Sequence, residues 1–171
     1  YHIYMKILVL GGDGYLGWPT AIHLSALNYE VYVVDNYMRR KLMEEHNVKK
    51  VTFENILSLA DIISIHVPLN NETKYLFDKK TFQKMNNKPI IINSSRGGII
   101  NETDILEAYK NNYISGFALD VYEHEPVNKI FLKNITNDMN CILSPHIAGV
   151  TEESNTRVSE FIMNKTNEFF F

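Results

Sequence analysis

The sequence predicts an α/β fold, a doubly wound parallel sheet with helices on both faces. Three observations carry that expectation. Short apolar runs alternate with stretches of helical spacing along the 171 residues. The apolar runs are rich in Ile and Val, as strands covered on both faces must be. A glycine-rich turn, GGDGYLG (11–17), follows the first run and opens a helical stretch.

Each element has its own reason. KILVL (6–10) is a buried strand. In YLGWPTAIHLSAL (15–27), Leu16, Ala21, Ile22, Leu24 and Leu27 recur at helical spacing. Pro19 falls in or near the first turn, where a missing N–H costs little. EVYVVD (30–35) is the second strand, RRKLMEEHN (39–47) a short polar helix and KVTF (50–53) an edge strand. DIISIHV (61–67), stopped by Pro68, and PIIINSS (89–95) are further strands. NETDILEAYKNN (101–112) reads as a capped helix. Asn101 caps it, Asp104 takes the third helical position, and Ile100 can staple onto Ile105. ISGFALDV (114–121) and NCILS (140–144) complete the strands. TEESNTRVSEFIMNKTNEFF (151–170) is the last helix. Thr151 caps it, Glu152 and Glu153 suit its positive end, and Val158, Phe161, Ile162 and Phe169 form its apolar face. No repeat or linker interrupts the pattern, so one domain over 1–171 is expected.

The totals narrow the partners. Apolar residues at 45% and charged residues at 22% suit a globular protein. A net charge of -3 gives no support to nucleic-acid or anionic-membrane binding. The one cysteine, Cys141, rules out a disulfide framework and suggests a reducing, cytoplasmic setting. It is read as a small buried hydrophobe. No apolar run is long enough to span a membrane, and the start lacks a signal-peptide layout. No His, Cys and Asp cluster has metal-ligand spacing, so no metal is expected.

The glycine turn implies a ligand. Gly12, Gly14 and Gly17 spell G-x-G-x-x-G, and counting from Gly11 gives G-G-x-G-x-x-G. Such a turn bends tightly, lets the backbone approach a pyrophosphate and lets the helix pack close. Tyr15 and Leu16 complete the turn, and the helix N-terminus behind it favours phosphate. Asp35 ends the second strand about 18 residues past Gly17, near the roughly 20 expected for a ribose-binding acid. A Rossmann-type NAD site is therefore expected. Asp35 would repel the extra phosphate of NADP, and Arg39 and Arg40 are read as a solvated helix face.

Residues 6–40, GGDGYLGWPTAIHLS and VVDNYMRR above all, resemble the extended short-chain dehydrogenase/reductases of the UDP-sulfoquinovose synthase type. That resemblance implies nucleotide-sugar chemistry through a Tyr-x-x-x-Lys pair. Two such spacings occur, Tyr37 with Lys41 and Tyr75 with Lys79, and both lie far too close to the glycine turn.

Residues 50–168 instead resemble the cofactor domain of D-2-hydroxyacid dehydrogenases, the phosphoglycerate dehydrogenase relatives. The matching segments are LADIISIHVPLNNETKYLF, NSSRGGIINETDIL, GFALDVYEHEPV and ILSPHIAGVT, in that order. The chemistry of these residues fits reduction of a 2-keto acid. An Arg96 fork holds a carboxylate and keeps its charge. The His146 imidazole suits proton transfer near neutrality. Glu125 can orient that imidazole as the third member of a triad does. The resemblance implies these three as catalytic. It implies His66, Val67, Pro68, Thr73, Ser94, Ser95, Arg96, Asp120, His146, Ala148 and Gly149 on the cofactor, with the glycine turn and Asp35. The side chains of His66 and His23 are read as structural, and Glu123 and His124 as neighbours that do not match.

The two resemblances together imply a hybrid with its seam within 36–49. The dehydrogenase family has a second domain that holds the substrate, and this sequence is expected to lack it. The expectation is an NAD-binding domain for hydride transfer between NAD(H) and a 2-hydroxy or 2-keto acid, inactive alone. The resemblance also implies a homodimer. The alternatives are a fragment of a nucleotide-sugar enzyme and a non-catalytic NAD-binding or interaction module.

Overall fold

A computed structural model describes residues 5–12, 14, 16–35 and 48–170, the side chains of 161 and 165–170 excepted. In chain order the elements are β1 (Lys6–Leu10), α1 (Gly17–Ala26), β2 (Glu30–Val34), β3 (Val48–Lys50), α2 (Phe53–Leu57) and β4 (Ile62–Ile65). Then follow α3 (Lys79–Phe82), β5 (Ile90–Asn93), α4 (Glu102–Lys110), β6 (Gly116–Leu119), α5 (Lys129–Lys133), β7 (Cys141–Leu143) and α6 (Glu152–Phe170). The strands form one sheet in the order β3-β2-β1-β4-β5-β6-β7, and every neighbouring pair is parallel.

Alternation along the strands builds two cores. Ile7 and Val9 of β1 join Val31, Val33, Val48, Trp18 and Ala21 on one face, under α1. Leu8 and Leu10 face the other way, with Ile63, Ile65, Ile91, Phe117 and Leu119. Ile56, Leu57, Phe82, Ile105 and Leu106, from α2, α3 and α4, cover that second face. Side chains at i and i+2 share a face, so one strand can feed two layers. This is the doubly wound sheet that the Ile- and Val-rich runs predicted.

The strand order reverses between β1 and β4, so the loops after those strands diverge. Ligands of open parallel sheets bind at that crevice, beyond the carboxyl ends of the strands. At the opposite rim, Asn28, Lys88 and Asn112 turn the chain toward β2, β5 and β6 with φ of 66°, 51° and 64°.

The expected caps hold. Asn101 Oδ1 accepts from the amides of Thr103 and Asp104 at 3.1 and 3.0 Å. Thr151 Oγ1 accepts from the Ser154 amide at 3.1 Å. Ile100 and Ile105 lie in one core. The edge strand expected at 50–53 is displaced. Its strand is Val48–Lys50, and Thr52 caps α2 by accepting from the Asn55 amide. A β-branched residue at position 52 serves the cap as well as a strand, and the short apolar run does not separate the two. Cys141 is half-buried, and burial pushes its thiol above the usual range. The helix expected over 39–47 lies outside the described residues.

Candidate active site and cofactor cradle

The cradle sits where β1 and β2 end. Gly11 has a φ of 81°, and a Cβ there would lie 2.7 Å from the His66 carbonyl oxygen. The Gly11 amide donates to Val34 and the His66 amide to Leu10, at 2.8 and 2.7 Å. The turn is thereby sealed against the ends of both β2 and β4. Gly12 and Gly17 are buried, Gly14 is half-buried and Leu16 is exposed. Helix α1 then begins with no side-chain cap and no acidic residue in its first turn. An uncapped, positive helix end beneath a turn of glycines suits a pyrophosphate. Asp35 follows β2 directly and is half-buried, which suits a ribose hydroxyl. The residues present therefore fit a dinucleotide. Tyr15 and the pair Arg39 and Arg40 lie outside the described residues.

The β4 loop forms the next wall. His66 and Val67 are half-buried and Pro68 is exposed. His66 Nε2 lies 2.8 Å from the Ser64 hydroxyl, and burial lowers the pKa of the imidazole below the usual histidine range. That contact ties the side chain back to β4. Thr73 donates its hydroxyl to the Pro68 carbonyl at 2.6 Å and accepts from the Asn70 amide at 2.9 Å, so it closes the loop on itself.

After β5 comes the arginine loop. Asn93 Oδ1 accepts from the amide and hydroxyl of Ser95 at 3.0 and 2.8 Å. Its amide group donates to the Arg96 carbonyl at 3.0 Å. Buried Asn93 thus shapes the turn that presents exposed Ser94 and Arg96. The Arg96 guanidinium donates to the Ser95 carbonyl at 2.6 Å.

The loop after β6 is tied down at successive residues. Asp120 accepts from the Ser144 hydroxyl at 2.6 Å and from the amides of Ile147 and Ala148 at 2.8 and 2.9 Å. Burial opposes ionisation of Asp120, but these hydrogen bonds outweigh it and hold the carboxyl below its usual range. The Tyr122 hydroxyl donates to the Ser144 carbonyl at 2.9 Å. Glu125 accepts from the Tyr122 amide at 3.3 Å and precedes a cis peptide to Pro126.

Glu125 and His146 meet here. His146 Nδ1 lies 2.7 Å from Glu125 Oε2. This bond is the main cause that lowers the pKa of the Glu125 carboxyl below the usual range. His146 has a φ of 57°, a left-handed backbone that a bulky residue adopts only where its surroundings impose it. The two amides after His146 are bound to Asp120, which holds the loop in that conformation. Ala148 and Gly149 are exposed beside it.

The NAD-binding domain model of D-isomer specific 2-hydroxyacid dehydrogenases matches residues 1–148. The chain belongs to that family. D-3-phosphoglycerate dehydrogenase of Bacillus subtilis (strain 168) is 35% identical over 169 residues, 98% of this chain and 31% of the relative. D-lactate dehydrogenase with NAD+ from Lactobacillus jensenii superposes with a TM-score of 0.84 at 28% identity, over 96% of this chain and 52% of that one. D-lactate dehydrogenase from Aquifex aeolicus, complexed with NAD and lactic acid, gives a TM-score of 0.85 at 25% identity, over 96% and 53%. The chain spans about a third to a half of the length of these D-2-hydroxyacid dehydrogenases.

The family match corrects the hybrid expectation. It runs from residue 1 to 148 and includes the glycine turn, so it does not support a separate origin for 6–40. Both enzyme groups need the same turn for the same mechanical reasons, and a turn alone therefore does not tell them apart. The seam expected within 36–49 falls largely outside the described residues. The Tyr-Lys pair that the other group needs is not assembled at Tyr75 and Lys79. The Tyr75 hydroxyl donates to Glu123 at 3.1 Å, and Lys79 pairs with Glu107 at 3.1 Å. Tyr37 and Lys41 lie outside the described residues.

Three carboxylates of this D-2-hydroxyacid dehydrogenase domain make bonds that its sequence does not show. The Asp120 carboxylate, expected on the cofactor, also holds the histidine loop. Glu123 was passed over, and Glu102 was not singled out. Both have direct bonds to the loops of the site. A carboxylate at the first position of a helix was the available signal for Glu102, and its burial was not visible from the sequence.

Proposed function

We propose that this chain is a single dinucleotide-binding domain whose Arg96, Glu125 and His146 serve hydride transfer between NAD(H) and a 2-hydroxy or 2-keto acid. Bound NAD(H) supplies or takes the hydride. Arg96 holds the substrate carboxylate through its fork and polarises the ketone. Glu125 accepts a hydrogen bond from His146 Nδ1–H and so leaves Nε2 to carry the proton that moves. In reduction that proton passes from Nε2 to the carbonyl oxygen. In oxidation it returns. Glu125 stabilises the imidazolium form between turnovers.

The observation that carries the reading is the 2.7 Å contact between His146 and Glu125, on loops that follow β7 and β6 at the carboxyl rim of the sheet. The chain spans about a third to a half of the length of its relatives, and we assign the substrate-closing part of the active centre to the portion of those proteins that it does not cover. The domain alone therefore binds NAD and turns over little or no substrate. We further assign it a cytoplasmic setting and a homodimeric state. The lone half-buried thiol supports the first, and exposed Ile142, Ile147 and Val150 around β7 support the second.

The test is calorimetry of NAD and NADP on the purified chain beside Asp35→Ala, followed by NADH oxidation with glyoxylate and pyruvate. Micromolar NAD binding, weakened at least tenfold in the variant, with no appreciable turnover, is the expected outcome. Oxidation at ordinary enzyme rates by the chain alone would overturn the division of labour between domains.

A further inference from the structure

Three loops of the site converge on two carboxylates. Glu123 stands two residues before Glu125 in the β6 loop. Its Oε1 accepts from the amide of Glu102, the first residue of α4, at 2.7 Å. Its Oε2 accepts from the Tyr75 hydroxyl of the β4 loop at 3.1 Å. In return, Glu102 Oε1 accepts from the Glu123 amide at 2.6 Å. The backbones beside this exchange are in close contact. A Cβ on Gly97 would stand 1.7 Å from the Tyr122 carbonyl oxygen. The Tyr75 amide also donates to the Gly98 carbonyl at 2.8 Å, from a left-handed backbone with φ of 50°.

We infer that Glu102 and Glu123 form a reciprocal clasp that sets the Glu125–His146 pair relative to Arg96, and that both are positioning residues for the reaction. The inference rests on the roles proposed above for those three. Between Arg96 and Glu102, Gly97 packs on the Tyr122 carbonyl, Gly98 accepts from the Tyr75 amide, and Ile99 and Ile100 are buried with Ile100 bridging Phe77, so each part of the link is held by a neighbour. Between Glu123 and Glu125 lies one residue.

The clasp is costly as a purely structural device. Glu102 is only 9% exposed. Burial raises the pKa of its carboxyl, the Glu123 amide opposes that rise, and the Glu123 charge adds to it. A core that needed only stability would be served as well by apolar side chains of similar volume. Acids placed side by side are the kind of local conflict that proteins retain at functional sites.

Carbon-13 NMR of the glutamate-labelled chain tests this through the Glu125 carboxyl titration. In the wild type its midpoint lies below the ordinary glutamate value, because His146 donates to it. In Glu102→Ala the midpoint should rise toward that value, and the Glu123 amide should exchange about tenfold faster, the loss of one hydrogen bond. NAD affinity should be unchanged. Glu102→Gln keeps the acceptor for the Glu123 amide and should restore the low midpoint. A folded Glu102→Ala chain with an unmoved Glu125 midpoint overturns the clasp. Should that variant not fold, Tyr75→Phe decides, since it removes one exposed hydroxyl bond. A smaller rise supports the clasp, and no rise overturns it. His146→Ala separates the two readings. It must raise the Glu125 midpoint by itself, and if it does not, the catalytic pair falls and the clasp with it.

Discussion

At the β1–β2 end of the sheet, the described residues of the turn are mostly glycine and offer backbone. Gly11, Gly12, Gly14 and Gly17 leave α1 without a side-chain cap, and Asp35 follows β2 beside them. At the β5–β7 end the reverse holds. Asn93, Asp120, Tyr122, Glu123 and Glu125 each hold a loop through side-chain bonds. The contrast matches what we propose that each end binds. A pyrophosphate is recognised by amide dipoles at short range, and a side chain would only stand in the way. A reacting carbonyl needs a cation and an acid at fixed points, and exposed side chains stay at fixed points only when their loops are held.

The sharpest break in this comparison uses His146→Gln in a protein that also carries a substrate-holding domain. The expected result is a fall in kcat of about 10²–10⁴-fold with NAD affinity within about twofold of wild type. Steady-state kinetics beside NAD titration would show both. A large loss of NAD affinity would mean that the two ends are not separable.

Gly11→Ala probes the other end. The added Cβ meets the His66 carbonyl and the residue must keep a φ of 81°. NAD binding should weaken about 100-fold, since strain and displacement together reach a few kcal/mol. The Glu125 carboxyl titration should be unchanged. Calorimetry and NMR on one sample would check the pair of outcomes.

A milder test compares two helix starts. Asn101→Ala removes two bonds to the first turn of α4 and should cost about 1 kcal/mol of stability in urea unfolding. Leu16→Ala, at the uncapped start of α1, removes no cap and should change stability by less than about 0.5 kcal/mol.

The smallest expected effect is in pH dependence. Burial holds His66 below the ordinary histidine value of 6.5. The unfolded chain then takes up a proton before the native one does, so stability falls as pH drops through 6.5. Glu125 is held below 4.5, chiefly by His146. Its contribution is present above that value and is lost only as pH falls through its lower native pKa. Urea midpoints across a pH series should therefore decline in two windows. His66→Gln should remove the first. Glu125→Gln should shrink the second, which Asp78 and Asp120 share.

Much of this was legible in the sequence because the strongest elements obey one period each. Among the described residues, β1, β2, β4 and β5 announce themselves as Ile- and Val-rich runs and β6 and β7 as short apolar ones, while polar β3 is displaced by a few residues. Asn101 and Thr151 are caps that can be read three residues ahead of their partners. Helices α2, α3 and α5 were missed. At four or five residues they complete little more than one turn, and so have no periodicity to detect. The proposed roles of Arg96, Glu125 and His146 rest on motif settings that are legible in the sequence. The bonds of Asp120 are not, because an acid after a strand serves a loop or a ligand equally well. Glu123 was passed over for a similar reason. Its partner Glu102 lies 21 positions away in sequence, and nothing local marks the pairing.

The turns at Asn28, Lys88 and Asn112 all lie at the rim opposite the cofactor cradle. Every strand runs the same way, so the sheet has a chemical end and an inert end. A fluorophore, a surface tether or a short inserted peptide at 87–88 or 111–112 would sit at the inert end. A chip carrying this protein by that rim would present every molecule with its cradle toward the solution.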